Sequence, residues 1–140
     1  MITIGIPTYN EERVIGKTIN SVIKQINVND EIIVVASGCT DNTVFEIKKI
    51  AKKDKRVKLI IEPERKGKSS ALNLIIKNAK SDIIVQTDGD VELGKDAIKK
   101  IISKLKNSEI GAVSGHPIPL IPKNNLFYDW TIMSYRKSHE

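Results

Sequence analysis

Short runs rich in isoleucine and valine alternate along the chain with longer stretches in which apolar residues recur every three or four positions. Such runs are typical of strands buried on both faces, and the longer spacing is typical of helices with one buried side. Repeated about four times, this alternation predicts a three-layer α/β fold, a mostly parallel sheet with helices on both faces. The predicted strands are residues 2–7, 31–36, 57–61, 82–87 and 110–114, and the predicted helices are residues 11–26, 41–53, 69–80 and 95–106.

Polar clusters follow the first four predicted strands, each beginning where the strand ends. The carboxyl ends of parallel strands lie along one edge of a sheet, and ligands bind beyond that edge where the strand order reverses. The clusters therefore predict one functional edge, although loops before helices are also polar when they only cap the helix. The clusters are residues 7–12, 37–43, 62–68 and 88–90.

The composition predicts one globular domain with a single core, since the 140 residues are 40% hydrophobic and 29% charged. No apolar run reaches the roughly 18–20 residues that a membrane span needs, and the segment after Met1 lacks the features of a secretory signal. The single cysteine, Cys39, excludes an internal disulfide, so we expect a small packed residue in a cytoplasmic protein. The net charge of +6 favours polyanions without choosing among them.

Asp88-Gly89-Asp90, at the end of the fourth predicted strand, is a candidate metal site. Side chains two positions apart in an extended segment share a face, so the two carboxylates are expected to converge. Converging carboxylates repel each other unless a cation joins them, and hard oxygen ligands suit Mg²⁺ or Mn²⁺. The alternative is a plain turn, since Asp-Gly is a common turn signal. The position at the functional edge favours the metal site.

The second and third polar clusters fit an anionic ligand. Residues 37–43 lead from a strand into a helix, where Thr40 or Asp41 can cap the helix and its first backbone N–H groups can hold an anion. In the third cluster, Arg65 stands beside Lys66-Gly67-Lys68, which offers cations and a glycine that permits close approach. This suits a phosphate-bearing ligand, but it does not match the P-loop pattern.

Three further residues have a binding interpretation and a plainer one. Pro7 fixes the direction in which the chain leaves the first strand. Tyr9 either stacks on a flat ring or covers the end of the sheet. His116 follows the fifth apolar run, and a lone histidine there is more often a loop residue than a metal ligand.

Four motifs, in this order, resemble those of the inverting, GT-A fold (Rossmann-like) glycosyltransferases of family 2. The resemblance covers residues 1–116 and is weaker from 117 to 140. The motifs are Pro7-Thr8-Tyr9-Asn10-Glu11-Glu12, Ser37-Gly38-Cys39-Thr40-Asp41-Asn42-Thr43, Gly67-Lys68-Ser69-Ser70-Ala71-Leu72-Asn73 and Asp88-Gly89-Asp90.

The resemblance implies a nucleotide-sugar donor, usually a UDP-sugar, with its base and ribose over the first two loops. It also implies a divalent ion, Mn²⁺ or Mg²⁺, that bridges the diphosphate and is held by Asp90, with Asp88 near the ribose or the metal. The donor-binding residues implied in this way are Pro7, Thr8, Tyr9, Glu11, Ala36, Ser37, Gly67, Lys68, Asp88 and Gly89.

Two departures from the family pattern bear on this expectation. Ala36-Ser37 stand where the family usually has acidic residues, one of which contacts the base. The acidic pair and the Gln-x-x-Arg-Trp stretch of the acceptor half do not occur before Glu140, so the catalytic base is unknown. His116 and Asp129 are candidates that match no family motif. The alternative function is therefore a donor-binding module or truncated fragment without the base.

We expect residues 1–116 to form the nucleotide-sugar-binding domain and residues 117–140 to form an aromatic helical tail. The tail packs on its own sheet, pairs with a second copy as a homodimer, or lies on a membrane surface, in that order of preference. We expect no nucleic-acid partner, because no alternation of aromatic and basic residues lies at the functional edge. The acceptor remains unknown.

Overall fold

The computed structural model describes residues 1–115 and 118, and within them strands and helices alternate as predicted. The described residues form four strands and four helices, and each of the first four apolar runs matches one strand to within two residues at either end. In chain order they are β1 (Thr3–Thr8), α1 (Ile15–Ile23), β2 (Glu31–Ser37), α2 (Thr43–Lys53), β3 (Val57–Glu62), α3 (Lys68–Asn78), β4 (Ile84–Gln86) and α4 (Ala97–Lys104).

The four strands form one parallel sheet in the order β3-β2-β1-β4. The chain first builds the sheet outward from β1 through β2 to β3, and then crosses back to place β4 on the other side of β1. The strand order therefore reverses between β1 and β4, which is where a parallel sheet of this kind opens a crevice at the carboxyl ends of its strands.

Two clusters of buried side chains cover the two faces of the sheet and confirm the three-layer α/β arrangement. On one face Ile15 of α1, Ile47 of α2 and Ile98 of α4 pack in the larger cluster. On the other face Ala71 and Ile75 of α3 pack against β2. The strand residues of β2 alternate between the clusters because successive side chains point to opposite faces.

The prediction that the strands are buried on both faces is confirmed for the central strands β1 and β2 and is wrong for the outer strands β3 and β4. All residues of β1 and β2 are buried, whereas β3 exposes Ile61 by 48% and β4 exposes Ile84 by 36%. An outer strand has a neighbour on one side only, so its ends and flanks meet solvent. The isoleucine-rich pattern alone does not distinguish a central strand of the sheet from an outer one.

The fifth predicted strand, residues 110–114, does not form. These residues adopt no strand, and Gly111, Ala112 and Ser114 are exposed. Three small residues in five bury little apolar surface, and glycine and alanine favour strands weakly. The run therefore lacks the driving force of the first four runs, each of which has three or four isoleucine, leucine or valine residues.

Helix α1 begins later than predicted, at Ile15 instead of residue 11. Asn10 has a positive φ of 53°, and residues 11–14 form a turn in which the N–H groups of Val14 and Ile15 donate to the carbonyl of Glu11. The N–H groups of Glu11 and Glu12 donate instead to Thr43 Oγ1 and Asp41 Oδ2, in the second loop, which follows β2. Residues 11–14 therefore belong to the first loop, which follows β1, and not to α1.

The chain divides into two compact units, Met1–Ile102 and Ser103–Glu140. The predicted aromatic tail, residues 117–140, lies outside the described residues except for the exposed Ile118. His116 and Asp129 also lie outside them. In the part of the chain that the structure describes, no helix has the length and apolar character to cross a bilayer.

The buried carboxylate of Glu31 ties β2 to three other segments. It accepts hydrogen bonds from Thr3 Oγ1 (2.9 Å) and from the backbone N–H of Lys80 (2.7 Å), and it forms an ion pair with Lys58. Burial opposes its ionisation, but the bonds from Lys58, Lys80 and Thr3 outweigh burial and lower the pKa of Glu31. A lowered pKa means that this stabilisation is present above the unfolded-state pKa and is lost as the pH falls through the folded-state pKa.

We expect Glu31→Gln to lower the free energy of unfolding by about 1–3 kcal/mol at pH 7, because it leaves Lys58 without its charged partner. The difference from the wild type should shrink as the pH falls below the ordinary range of a glutamate pKa. Urea unfolding at neutral and acidic pH measures both effects. The control is Glu46→Gln, which removes a surface pair with Lys49 and should change stability little. Equal effects of the two variants would contradict the prediction.

Candidate functional site

A cleft of about 310 Å³ lies at the carboxyl ends of the strands, where the strand order reverses. All four polar loops that follow β1, β2, β3 and β4 contribute to its walls. Its lining residues are Pro7, Thr8, Tyr9, Glu11, Ser37, Arg65, Gly67, Lys68, Ala71, Asp88, Gly89 and Asp90. The expectation of one edge that gathers the four clusters agrees with this geometry.

The cleft brings together nine of the ten predicted donor-binding residues and the predicted metal ligand Asp90. The exception is Ala36, which is fully buried in the larger core cluster. Strand alternation explains the difference, because Ala36 faces the core while the next residue, Ser37, lines the cleft. The binding roles of these residues stay predictions.

Arg65 and Ala71 line the cleft but were not among the predicted donor-binding residues. Arg65 belongs to the third polar cluster, where the sequence indicates a cation beside Lys66-Gly67-Lys68 but assigns it no donor contact. Ala71 lies three residues after Lys68 in α3, so helical spacing places both on one side of the helix. That spacing is the signal that could have identified Ala71.

Much of the polar character of the first two loops serves to hold them to each other. The backbone N–H of Thr40 donates to Asn10 Oδ1 (2.9 Å), and Asn10 Nδ2 donates to Thr40 Oγ1 (3.1 Å). The N–H of Glu12 donates to Asp41 Oδ2 (3.1 Å), and the N–H of Asn42 donates to Glu12 Oε2 (2.9 Å). These side chains fix the cleft wall, so their place in the motifs has a structural reason.

The prediction that Thr40 or Asp41 is the N-cap of α2 is wrong, because Asn42 occupies that position and makes no side-chain cap hydrogen bond. Asp41 instead bonds to the first residue of the helix. Its Oδ1 accepts from the backbone N–H of Thr43 at 3.0 Å, and Thr40 is engaged with Asn10 instead. Cys39 is a free, partly buried thiol that packs against the core, and burial raises its pKa. Its Sγ lies 3.8 Å from the carbonyl oxygen of Thr8, which adds one more contact between the first two loops.

The second and third loops meet at Gly38. Its φ is +63°, and its N–H donates to the carbonyl of Glu62 at 2.9 Å. A Cβ at this position would lie 2.4 Å from the backbone nitrogen of Arg65. Only glycine allows both this conformation and this approach. The position of Arg65 in the cleft therefore depends on the absence of a side chain at residue 38.

Arg65 covers the ring of Tyr9. Its guanidinium carbon lies 3.9 Å from the ring centroid, which is the geometry of a cation–π contact. Tyr9 follows β1 and Arg65 follows β3, so the contact joins the first and third loops across the end of β2. It gives the cleft a flat wall that is both aromatic and cationic.

The Asp88-Gly89-Asp90 segment is a turn and not the extended segment that was predicted. The N–H of Val91 donates to the carbonyl of Asp88 at 3.3 Å. A Cβ on Gly89 would lie 2.6 Å from Thr8 Oγ1, so the turn fits closely against β1. Both aspartates nevertheless line the cleft, because the turn presents them at the reversal point.

The two aspartates have different surroundings. Asp88 Oδ1 forms an ion pair with Lys68 Nζ at 2.6 Å. Asp90 is exposed, and among the described residues it has no ion-pair partner. Burial, the charge of Asp90 and the charge of Asp41, in that order, raise the pKa of Glu11. The cleft thus has a carboxylate-rich side around Asp90 and Glu11.

This like-charge contact can be tested without a ligand. We expect Asp90→Asn to lower the pKa of Glu11, which should still stay above its ordinary value because burial is the larger cause. A carboxyl-carbon NMR titration of Glu11 in the two proteins measures the change. Asp82→Asn, which removes an exposed charge outside the cleft lining, is the matched control. An unchanged Glu11 titration in Asp90→Asn would contradict the geometry.

The donor set fits a divalent ion that is shared with a ligand. Among the described residues, no three acidic, histidine or cysteine side chains form a cluster that could hold a metal by themselves. Mg²⁺-type sites commonly use one or two carboxylates together with water and substrate phosphates. The exposed carboxylate of Asp90 and the neighbouring Asp88 meet that requirement.

Residues 3–138 match the model of the protein family described as Glycosyl transferase family 2. An uncharacterized glycosyltransferase of Haemophilus influenzae is 31% identical over 116 residues, which are 83% of this chain and 46% of the relative. A poly-beta-1,6-N-acetyl-D-glucosamine synthase of Staphylococcus aureus is 33% identical over 117 residues, again 83% of this chain but 28% of the relative. The chain thus spans less than half the length of these relatives.

Two solved structures share the fold. The mannosyltransferase PcManGT of Pyrobaculum calidifontis, in complex with GDP-Man and Mn²⁺, matches with a TM-score of 0.77 and 30% identity, over 91% of this chain and 37% of that one. Staphylococcus aureus TarS 1–349, in complex with UDP-GlcNAc, matches with a TM-score of 0.69 over 84% of this chain and 36% of that one. At 23% identity, TarS shows the GT-A fold alone.

Proposed function

The chain belongs to glycosyl transferase family 2, and from this membership we propose that it binds a nucleotide diphosphate sugar and acts in the transfer of that sugar to an acceptor. One observation carries the proposal: a single cleft at the reversal point joins the Tyr9–Arg65 wall to Lys68 and to the carboxylates of Asp88 and Asp90. A nucleotide diphosphate combines a flat base with an anionic group that binds cations. The cleft offers a complement to both parts.

The proposed donor lies with its base and ribose toward the first two loops and its diphosphate toward α3 and β4. Tyr9 supplies a ring, and Ser37 lines the same wall. Helix α3 begins at Lys68, directly after Gly67, which has a positive φ of 85°. The N-terminus of a helix favours a negative charge, and the ammonium group of Lys68 adds to that attraction.

A divalent ion, Mn²⁺ or Mg²⁺, would be held by Asp90 together with Asp88. When bound, such an ion neutralises the charge that develops on the departing diphosphate. The residues of the cleft hold the donor in place, so the acceptor meets it in a defined orientation. PcManGT, which shares the fold, was solved with GDP-Man and Mn²⁺.

The base of the donor is proposed as uracil, with guanine as the direct competitor. The family resemblance favours UDP-sugars, whereas the two structural relatives were solved with GDP-Man and with UDP-GlcNAc. Ala36-Ser37 place no carboxylate at the end of β2, so the base is read by other groups of the cleft. We further propose that transfer proceeds with inversion. The catalytic base is not assigned, and the acceptor is left open.

The cellular setting is also a proposal. The lone Cys39 is consistent with a reducing cytoplasmic location. Contact with a membrane surface, or with a second copy of the chain, is assigned to residues 117–140 on the basis of their aromatic content. Vesicle sedimentation and the oligomeric state in solution test these two alternatives.

Calorimetry with UDP, GDP and ADP, each with and without Mn²⁺, tests the donor proposal. We expect UDP to bind more tightly with Mn²⁺ than without it, and ADP to bind weakly under both conditions. If GDP binds more tightly than UDP, the base of the donor is guanine and not uracil, and the proposed binding site stands. No Mn²⁺-dependent binding of any of the three nucleotides would contradict the proposal.

Release of nucleotide from UDP-sugars in the presence of candidate acceptors tests transfer. Binding without release would favour the alternative, a donor-binding module without transfer activity. Steep salt-dependent affinity for oligonucleotides, with indifference to divalent ions, would instead indicate a nucleic-acid binder.

A further inference from the structure

The ion pair between Lys68 and Asp88 joins two residues that line the cleft. Lys68 is the first residue of α3, and Asp88 follows β4, so the pair joins the third and fourth loops. Lys68 Nζ and Asp88 Oδ1 are 2.6 Å apart, while the two side chains are 56% and 47% exposed. The pair is therefore well formed and still in contact with solvent.

This pair changes what a cation meets when it enters the cleft. The negative charge of Asp88 is already compensated by the ammonium group of Lys68. A divalent ion would have to displace that group to reach Asp88. In the protein without nucleotide, Lys68 and a divalent ion would therefore compete for the carboxylate of Asp88.

The pair is also easy to break. Solvent-exposed ion pairs are worth about 0–1 kcal/mol, because water screens the charges and the long side chain loses freedom. Lysine carries its charge on a flexible four-carbon stem, so its ammonium group can move to another anion without a change in the backbone. A diphosphate, with more than one negative charge, is a stronger partner than one half-exposed carboxylate.

We infer that Lys68 is an exchangeable counter-ion of Asp88: it holds Asp88 in the free protein, and it moves to the diphosphate when the nucleotide binds, which releases Asp88 to the divalent ion. Metal and nucleotide then bind with positive cooperativity, since each removes an obstacle to the other. The nucleotide half of this inference rests on the function proposed above. The metal half rests on the proposed assignment of the ion to Asp88 and Asp90, and it can be tested without any nucleotide.

The neighbouring cations do not share this role. The guanidinium group of Arg65 is stacked on Tyr9. Lys66 is not among the residues that line the cleft. Hydrogen bonds from Ser70 and Ser37 lower the pKa of Glu62, and the charge of Lys66 adds a smaller effect in the same direction. Lys66→Met therefore removes the same charge from the same loop without touching Asp88. It is a matched control for Lys68→Met.

The first experiment titrates Mn²⁺ alone into the full chain, followed by the electron paramagnetic resonance of the free ion. We expect Lys68→Met to bind Mn²⁺ about tenfold more tightly than the wild type, because the competitor is gone. Lys66→Met should stay close to the wild type. If the two variants change Mn²⁺ affinity equally, the effect is one of net charge and the inference is overturned.

The double variant Lys68→Met/Asp88→Asn isolates the exchanged carboxylate. We expect the gain in Mn²⁺ affinity to be lost in it, since the group that Lys68 protected is no longer an anion. A gain that survives the loss of Asp88 overturns the inference. Circular dichroism of all variants confirms that they are folded, which is expected for substitutions of half-exposed side chains.

The second experiment measures the cooperativity between Mn²⁺ and UDP or GDP. In the wild type each should tighten the binding of the other, and in Lys68→Met this mutual effect should fall several-fold. If no nucleotide binds to any variant, the proposed function fails while the Mn²⁺ titrations still decide the metal half. If nucleotide binds normally and Lys68→Met leaves both Mn²⁺ affinity and cooperativity unchanged, only the counter-ion inference fails.

Discussion

Asp90→Asn is expected to remove the Mn²⁺-dependent part of nucleotide binding, with a loss of affinity of about 100-fold in the presence of the ion. Asp90 is the exposed carboxylate of the cleft that has no ion-pair partner among the described residues, so it is the group most available to a cation. Asparagine keeps the size of the side chain and a neutral oxygen, but it removes the charge that attracts the ion. Affinity without the ion should change little.

The same substitution should leave the fold intact. Asp90 lies on a surface turn, and its charge raises the pKa of Glu11, which means that the two groups repel each other. Removal of that repulsion should hold or slightly raise the free energy of unfolding. Calorimetry with nucleotide, with and without Mn²⁺, gives the binding effect, and urea unfolding gives the stability. Asp82→Asn is again the control, with both quantities expected at the wild-type level.

If Asp90→Asn binds nucleotide as tightly as the wild type in the presence of Mn²⁺, the assignment of the ion to Asp90 is wrong. If the variant is strongly destabilised instead, Asp90 has a structural role that its exposed position does not indicate. These outcomes are separated by the two measurements.

Gly38→Ala is expected to have the largest effect on stability, a loss of about 3–5 kcal/mol in the free energy of unfolding. Two causes add. Alanine at a φ of +63° is strained, and its Cβ would lie 2.4 Å from the backbone nitrogen of Arg65. A backbone atom cannot turn away as a flexible side chain can, so the third loop must shift as a whole.

The other glycines separate these causes. Gly67 has a φ of +85° but nothing within 4 Å of the Cβ position, so Gly67→Ala should show backbone strain alone, about 1–3 kcal/mol. Gly16 lies in α1 with neither strain nor contact, and Gly16→Ala should be neutral or stabilising by about 0.5–1 kcal/mol. Urea unfolding of the three variants provides the comparison. A Gly38→Ala loss no larger than that of Gly67→Ala would show that the third loop yields easily.

Gly38→Ala should also disturb the cleft. The shift of Arg65 breaks its contact with Tyr9, so the flat wall that we assign to the base of the donor changes shape. We expect weaker nucleotide binding in Gly38→Ala even at temperatures where the variant is folded. This readout distinguishes a local effect on the loop from a general loss of stability.

Local patterns predicted the secondary structure where apolar surface was plentiful. The run of β2 is continuous in isoleucine and valine from residue 32 to 35, the run of β1 has isoleucine at every second position, and both strands formed as buried central strands. The run at 110–114 has two such residues and three small ones, and no strand formed there. The predicted start of α1 was wrong, because it depends on hydrogen bonds from Glu11 and Glu12 to the second loop, which lies far along the chain.

The motifs predicted which loops form the cleft, but they did not predict which residues hold the loops together and which line the cleft. Asn10, Glu12 and Asp41 hold the loops together, whereas Tyr9, Lys68 and Asp90 line the cavity. Both groups are polar and lie in the same short stretches. A pattern of residue types cannot separate a side chain that bonds to a loop from one that faces solvent.

The sequence by itself determined the alternation of strands and helices, the edge of the sheet that carries the chemistry, and the family to which the chain belongs. The first two follow from the periodicity of apolar residues and from the rule that parallel strands end at the same edge, and the family follows from the resemblance of the four motifs. Only the tertiary structure decided that Lys68 meets Asp88, that Arg65 covers Tyr9, and that Ala36 turns into the core. Such contacts depend on strand order and on the side-chain directions of residues distant in sequence, and no local pattern encodes either.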